Sequence, residues 1–230
     1  MKWLWLRVTA GGMVAVTVLA PTALADRYEV TVTVRPVGGV GRVQENVGRN
    51  DGGPGSASRP VGATAYSAGG ELGVAHGVRN WLDLEGDLLG AGFTQATYDG
   101  AWVSLSGAPT MGRVTRTTRV AQLRVGATLR AGVAWVSTLH LGLGLGARMQ
   151  GAATLMSGGE NSFTPDGLGG KVALDSAAIV RAGIEHRVDR RWSVGVSAEA
   201  VHQAGVGVAS IDGISGGLAL SYSWYPTVSR

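Results

Sequence analysis

The chain has 230 residues, a formal net charge of +4, 45% hydrophobic residues and no cysteine. This length fits one domain, and the lack of cysteine excludes a small secreted domain held together by disulfides. Lys2 and Arg7 supply two of the positive charges, so without them the net charge falls from +4 to +2. No basic helix or recognition motif supports nucleic-acid binding.

The first residues have the pattern of a secretory signal peptide. Lys2 and Arg7 form a positive start, residues 8–19 form an apolar run, and Ala23 and Ala25 form a small-x-small cleavage site. The run is shorter than the ~20 residues that a spanning helix needs. We therefore expect a signal peptide over residues 1–25 and a single exported domain over residues 26–230.

The rest of the chain alternates apolar and small or polar residues with a period of two. The clearest stretch is residues 139–149, LHLGLGLGARM, in which every second residue is apolar. After residue 25, no uninterrupted apolar stretch is long enough for a membrane helix. The alternation predicts eight strands, at residues 28–37, 65–78, 82–93, 118–130, 138–152, 171–187, 192–202 and 213–225.

The connections between these predicted strands are alternately short and long. The short ones are residues 79–81, 131–137 and 188–191, and the long, Gly-rich and polar ones are residues 38–64, 94–117, 153–170 and 203–212. The glycine-rich pieces lack a following helix and a Gly-Lys-Ser/Thr motif, so they do not form a phosphate-binding loop. The pattern predicts an all-β fold, an eight-stranded antiparallel up-and-down transmembrane β-barrel with short periplasmic turns and long external loops.

The apolar face of each strand is expected to face lipid, as Leu139, Leu141, Leu143 and Leu145 do in the fifth strand. Aromatic residues near the strand ends predict an interfacial girdle at the periplasmic side. The predicted girdle consists of Tyr28, Trp81, Trp135, Trp192, Trp224 and Tyr225.

The opposite face carries charges of both signs, which are tolerated inside a barrel only when they are paired or wetted. We expect a network of ion pairs in the lumen, for example between an acid of the third strand and Arg124, and hence a closed or barely conducting barrel. The predicted lumen residues are Glu29, Arg35, Glu71, Asp83, Glu85, Asp87, Arg124, Arg130, His140, Arg148, Arg181, Glu185, Arg187 and Glu199.

With these features, the chain resembles the small eight-stranded outer-membrane barrels of the OmpA, OmpX and OmpW type. The resemblance covers residues 28–225 and is architectural, carried by hairpins such as residues 73–82 and 182–192. It implies insertion by the barrel assembly machinery, which reads a last strand that ends in an aromatic residue, as residues 218–225 do. It also implies a location in the outer membrane of a diderm bacterium, among its lipids and lipopolysaccharide.

The candidates for chemistry are weak. Of the four histidines, His202 is close in sequence to Glu199, but a spacing of three places the two on opposite faces of a strand. His76, His140 and His186 are expected to be structural. No histidine pair has a metal-ligand spacing, so we expect no catalytic site, no cofactor and no metal site.

Three functions are therefore open. The favoured one is a non-enzymatic, porin-like scaffold that displays external loops to an extracellular ligand, with specificity in residues 42–59 and 94–117. The second is a narrow channel for ions or small apolar solutes. The third is a lipid-modifying enzyme that uses His202 or Glu199.

Overall fold

The computed structural model describes residues 28–48, 58–103, 109–132, 135–152, 154–156, 162–163, 170–206 and 210–225. The predicted signal peptide lies outside these residues and stays a prediction. Within the part of the chain that the structure describes, no helical segment could span a membrane.

The described chain forms strands throughout. Eight are long: β1 (Val30–Gly48), β2 (Ser58–Arg79), β3 (Leu82–Val103), β4 (Pro109–Ala131), β5 (Trp135–Gln150), β8 (Lys171–Arg187), β9 (Trp192–Gly205) and β10 (Ser210–Trp224). Two short strands between β5 and β8, β6 (Thr154–Met156) and β7 (Ser162–Phe163), form a side branch on β4.

The long strands close into a ring. Each pairs antiparallel with its neighbour in the chain, and β1 also pairs with β10, from Val30 opposite Trp224 to Gln44 opposite Ser210. A closed ring has no free edge, so every strand finds its backbone partners within the ring. The predicted fold class, an eight-stranded antiparallel up-and-down barrel, is confirmed.

The two faces of the ring differ in the way the alternation predicts. In β5, Leu143 and Leu145 are 65% and 68% exposed, whereas His140 and Arg148 on the other face are 2% and 1% exposed. Exposed leucines and valines continue around the outside of all eight long strands. A ring with an apolar exterior and a charged interior is a transmembrane barrel of the outer-membrane type.

The short connections lie at one end of the ring, as the alternation of connection lengths predicts. The turn after β4 contains Gly132 with φ +115°, where an added Cβ would lie 2.1 Å from the carbonyl oxygen of Trp135. Only glycine fits this close approach of the backbone. By the usual rule for such barrels, this end faces the periplasm.

The predicted strand ends are wrong at the opposite, extracellular end. Residues 38–48, 58–64, 94–103 and 109–117 were expected in long loops, but they extend β1, β2, β3 and β4. Above the membrane the outward face meets water and carries polar residues such as Arg42 and Gln44, so the apolar alternation fades while backbone pairing continues; the inward face stays buried at Val43 and Ala63. The segments expected to carry loop specificity are therefore largely paired hairpins.

One irregularity lies in β3. Its register shifts by one residue between Leu89 and Gly92 opposite β4, and between Ala68 and Glu71 opposite β2. A bulge of this kind reverses the inside and outside positions of the strand. Leu89 is consequently the last inward residue of the lower part of β3.

Candidate functional site

The interior of the barrel is the most distinctive surface of the molecule, because it holds many charges away from water. The strand alternation turns the predicted lumen residues inward, and the structure places them there: eleven are buried, and Arg130, Glu185 and Arg187 are half-buried. They form layers along the barrel axis.

The middle layer, here called the central network, joins residues from six strands. Its members are Arg35, Glu71, Glu85, Asp87, Arg124, Arg181 and Glu199. Three guanidinium groups thus face four carboxylates, all of them buried. Buried charges are tolerated when each has several charge-assisted hydrogen bonds.

Arg181 of β8 is the hub of the central network. Its Nη2 lies 2.8 Å from Glu71 Oε1 and 3.3 Å from Asp87 Oδ2, and its Nη1 lies 3.2 Å from Glu85 Oε1. Its Nε donates to Glu199 Oε2 at 3.2 Å. One side chain therefore ties β8 to β2, β3 and β9 across the lumen.

Arg35 and Arg124 close the central network from two sides. Arg35 of β1 pairs with Glu71, with Glu85 at 2.6 Å and with Asp87 at 3.5 Å. Arg124 of β4 lies 3.1 Å from both Glu71 and Glu199. The predicted pairing of Arg124 with an acid of the third strand is wrong, because Arg35 and Arg181 reach those acids from across the lumen.

His140 of β5 packs beside the central network. Its Nδ1 lies 3.0 Å from Glu85 Oε2 and 2.9 Å from Thr128 Oγ1, and the Thr128 hydroxyl donates to Glu85 Oε2 at 2.6 Å. The ring lies against Gly142, where an added Cβ would be 2.5 Å from His140 Nε2. Glycine at this position makes room for the imidazole.

One group of potential metal ligands lies here, which the sequence spacing did not predict because its members come from two strands. Ligand atoms of Glu85, Asp87 and His140 lie within 4.8 Å of one another. The two carboxylates already pair with Arg35 and Arg181. A cation would have to compete with two guanidinium groups at this place, so the geometry favours an arginine network over a metal centre.

A second layer lies toward the short turns. Arg130 pairs with Asp83 at 3.1 Å and with Glu185 at 3.0 Å, and Arg187 pairs with Glu29 at 2.9 Å. Ser193 also donates to Glu185. Between this layer and the central network lies a cavity of about 60 Å³, lined by Arg35, Glu85, Arg130 and Glu185 among others.

A third polar group lies toward the extracellular end, and sequence reasoning missed part of it. Arg148 of β5 pairs with Asp175 of β8 at 2.5 Å, and Gln122 of β4 donates to Asp175. Asp175 and Arg181 lie an even number of positions apart on β8, so their side chains lie on the same face of the strand. The alternation could therefore have predicted that Asp175 faces the lumen. The buried Arg116 was missed because its segment was expected to be a loop.

Above the central network the lumen contains a small cavity, here called the vestibule. Its volume is about 60 Å³, and Arg124 and Glu199 lie at its floor. Most of its wall is apolar or small and includes Val37, Ala65, Leu89, Val120, Val201 and Ile211. The vestibule is therefore an apolar recess closed below by ion pairs.

The six residues of the predicted girdle are all exposed at the end with the short turns. Some pair with neighbouring rings: the Trp135 and His186 ring centroids are 4.4 Å apart, and those of Tyr28 and His76 are 6.5 Å apart. His76 and His186 thus lie in the aromatic belt, as expected for structural histidines.

His202 lies on the outer surface toward the extracellular end. Glu199 points into the lumen, and the carboxylate next to His202 is that of Asp212 on β10, 2.5 Å from Nδ1. His202 and Glu199 therefore do not form a pair, and the enzyme alternative stays a prediction. Cross-strand register, which single-strand spacing does not contain, brings Asp212 and His202 together.

Comparison with known proteins gives likeness of fold alone. No protein-family model matches the chain, and no curated protein sequence does. The chain is similar to Ail, the attachment invasion locus protein of Yersinia pestis, at 12% identity and a TM-score of 0.43, over 86% of this chain and 99% of that one. OprG from Pseudomonas aeruginosa is 11% identical with a TM-score of 0.42, over 86% and 98% of the two chains. AlkL is 13% identical with a TM-score of 0.41, over 92% and 97%. The last two are described as outer membrane proteins.

Proposed function

We propose that this outer-membrane barrel is a closed, non-enzymatic scaffold that holds two long β-hairpins outside the cell for interaction. The observation that carries the proposal is the central network, which fills the lumen with paired side chains from β1, β2, β3, β4, β8 and β9. A lumen that is filled in this way gives rigidity and does not provide an aqueous path.

The lengths of the strands support display. A strand needs about 9–11 residues to cross the hydrocarbon layer, whereas β1, β2, β3 and β4 have 19, 22, 22 and 23 residues. The excess of roughly 10 residues corresponds to about 30 Å of strand beyond the membrane. Pairing between β2 and β3 ends at Thr64 and Thr97, so the β1–β2 and β3–β4 hairpins separate above that level.

An accessibility experiment tests display. A short epitope inserted within residues 51–57, between β1 and β2, should be bound by antibody on intact bacteria. The same epitope inserted at Asn80, in the short turn between β2 and β3, should be bound only after the envelope is permeabilised. Binding of the Asn80 epitope on intact cells, or none of the first epitope, would overturn the proposed orientation.

A truncation tests whether the upper part of the β1–β2 hairpin contributes to the stability of the barrel. Gln44 and Gly62 are register partners, so residues 45–61 can be replaced by Asn-Gly, which favours a tight hairpin turn. The free energy of unfolding should change by less than about 1 kcal/mol, because the central network is untouched. Loss of heat-modifiable gel migration would show that the hairpin is part of the fold's stability.

The vestibule favours a second candidate, entry of a small apolar solute from the extracellular side. Its apolar wall suits such a solute better than an ion, while the ion pairs of its floor stop passage through the lumen. Xenon is a suitable probe, since it is a small apolar atom that a cavity of about 60 Å³ can hold. Xenon should shift the NMR signals of the Val120 and Ile211 methyl groups. Ala65→Leu should abolish the shift, and the outward-facing Ala198→Leu should not.

We also propose that the barrel assembly machinery inserts the chain by reading β10. The outward positions of this strand are Leu218, Leu220, Tyr222 and Trp224, an apolar series that ends in two aromatic residues. Tyr222→Ser combined with Trp224→Ser should lower the amount of folded barrel in the outer membrane of growing cells. Refolding of the same variant into vesicles without the machinery should be affected less.

A further inference from the structure

The turn between β8 and β9, residues 188–191, is unusually well fixed for an exposed turn. The carboxylate of Asp189 accepts the backbone N–H groups of Arg191 at 2.6 Å and of Trp192 at 2.8 Å. Val188 N–H donates to the Trp192 carbonyl, and Ser223 N–H of β10 donates to the Arg191 carbonyl at 2.7 Å. This side-chain capped turn holds Arg191 in one place beside the aromatic belt.

Three rings lie next to this turn on the outer surface. Trp192 and Tyr222 are cross-strand partners with ring centroids 4.9 Å apart and an edge-to-face angle of 64°, and Tyr222 lies 6.2 Å from Trp224. Arg191 Nη1 donates to the Tyr222 hydroxyl at 3.2 Å. Despite these contacts, Trp192 and Trp224 remain 43% and 39% exposed, so part of each residue is open to the membrane interface.

The same place presents a positive and a negative charge together. Arg191 is exposed, and the two backbone N–H groups lower the pKa of the exposed Asp189 carboxyl below its usual range. Above the rings, the outward residues of β9 and β10 are apolar and exposed: Val194 pairs with Leu220 and Val196 with Leu218. A ligand bound here would contact a cation, an anion, aromatic rings and an apolar strip.

We propose that Asp189, Arg191, Trp192, Tyr222 and Trp224 form a binding site for one phospholipid of the periplasmic leaflet with a primary ammonium headgroup, phosphatidylethanolamine. The Arg191 guanidinium binds the phosphate, and the ammonium group donates to Asp189 and lies against the exposed face of Trp192. The acyl chains follow the strip formed by Val194, Val196, Leu218 and Leu220.

Charge complementarity selects this headgroup among phospholipids. A phosphatidylglycerol headgroup has no cation for Asp189. A phosphatidylcholine headgroup keeps the cation but has no N–H to donate to Asp189. The site therefore needs both charges of the turn, which separates it from general attraction of lipids to an arginine.

The chain provides matched variants. Asp189→Asn keeps a side-chain oxygen that accepts the same backbone N–H groups and removes only the charge. Arg191→Gln removes the guanidinium from an exposed position. Arg190→Gln removes the same charge from the neighbouring residue of the turn, and among the described hydrogen bonds none joins Arg190 to Tyr222.

The experiment is native mass spectrometry of the folded barrel with phosphatidylethanolamine, phosphatidylcholine and phosphatidylglycerol of identical chains, and with free phosphoethanolamine. We expect one phosphatidylethanolamine to be retained about fivefold more strongly than the other two lipids, as an exposed charge pair allows. Asp189→Asn and Arg191→Gln should remove this preference, and Arg190→Gln should retain it. Weak binding of phosphoethanolamine would show that the strip for the acyl chains contributes.

Equal retention of the three lipids, or no retained lipid, would overturn the site. Equal loss with Arg190→Gln would reduce it to a nonspecific charge effect and overturn it as well. Each variant is first tested for heat-modifiable gel migration, so that an unfolded sample is not counted. As a second readout, phosphatidylethanolamine with brominated chains should quench the fluorescence of the wild-type barrel more than that of Trp192→Leu.

Discussion

At the scale of single residues, stability depends on buried charges that have partners on several strands. Arg181→Leu would leave Glu71, Glu85, Asp87 and Glu199 short of one cation inside the barrel. Removing one partner of a buried ion pair costs about 3–5 kcal/mol, and we expect a loss of that size in urea unfolding in vesicles. Arg190→Leu, in an exposed turn, is the control and should change stability by less than about 0.5 kcal/mol. Equal midpoints for the two variants would contradict the role of the central network.

The fit between His140 and Gly142 gives a second residue-scale prediction. Gly142→Ala places a Cβ 2.5 Å from His140 Nε2, and overpacking of this kind costs about 1–3 kcal/mol. In the double variant with His140→Ala the nearest remaining atom is the Val125 carbonyl oxygen at 3.2 Å, so most of the cost of Gly142→Ala should disappear. Gly86→Ala is the control, because its nearest atom beyond its chain neighbours would be 4.0 Å away. Additive effects of the two substitutions would show that the ring does not occupy this space.

At the scale of strands, the closure between β1 and β10 can be tested by cross-linking. The hydroxyls of Thr31 and Ser223 are 2.8 Å apart in the lumen, and the chain has no cysteine of its own. Thr31→Cys with Ser223→Cys should form a disulfide during oxidative refolding and give a faster band on a non-reducing gel. Thr31→Cys with Ser221→Cys is the mismatched control, since Ser221 is the partner of Thr33. Equal cross-linking of both pairs would contradict the register.

Strand identity could be predicted from the sequence because one face of each strand meets lipid. The alternation in residues 171–187 predicted both ends of β8 correctly. The upper parts of β1 to β4 could not be predicted, because outside the membrane the outward face needs no apolar side chains, even though inward residues such as Val43 and Ala63 are buried. The bulge in β3 was equally hidden, since Gly90 and Gly92 fit a strand or a bend.

At the scale of the whole molecule, the alternation along the strands predicted most of the charged side chains that face the lumen, but it did not predict which of them pair. Which acid pairs with Arg124 depends on the curvature of the ring, which brings Glu71 and Glu199 across the lumen to it. The contact between His202 and Asp212 also depends on a second strand, because the register of β9 and β10 makes these residues partners. A single sequence indicates the face of each side chain, and the closed ring decides the contacts.

The closed lumen is the central claim, and single-channel conductance of the refolded barrel in a planar bilayer tests it most directly. The sample is first shown to be folded by heat-modifiable gel migration, and a boiled portion serves as the control. Because the central network and the layer of Arg130, Asp83 and Glu185 place two layers of ion pairs across the lumen, we predict no discrete current steps above the control. Reproducible steps from the folded protein, absent from the boiled portion, would contradict the closed barrel and make the lumen charges a permeation path.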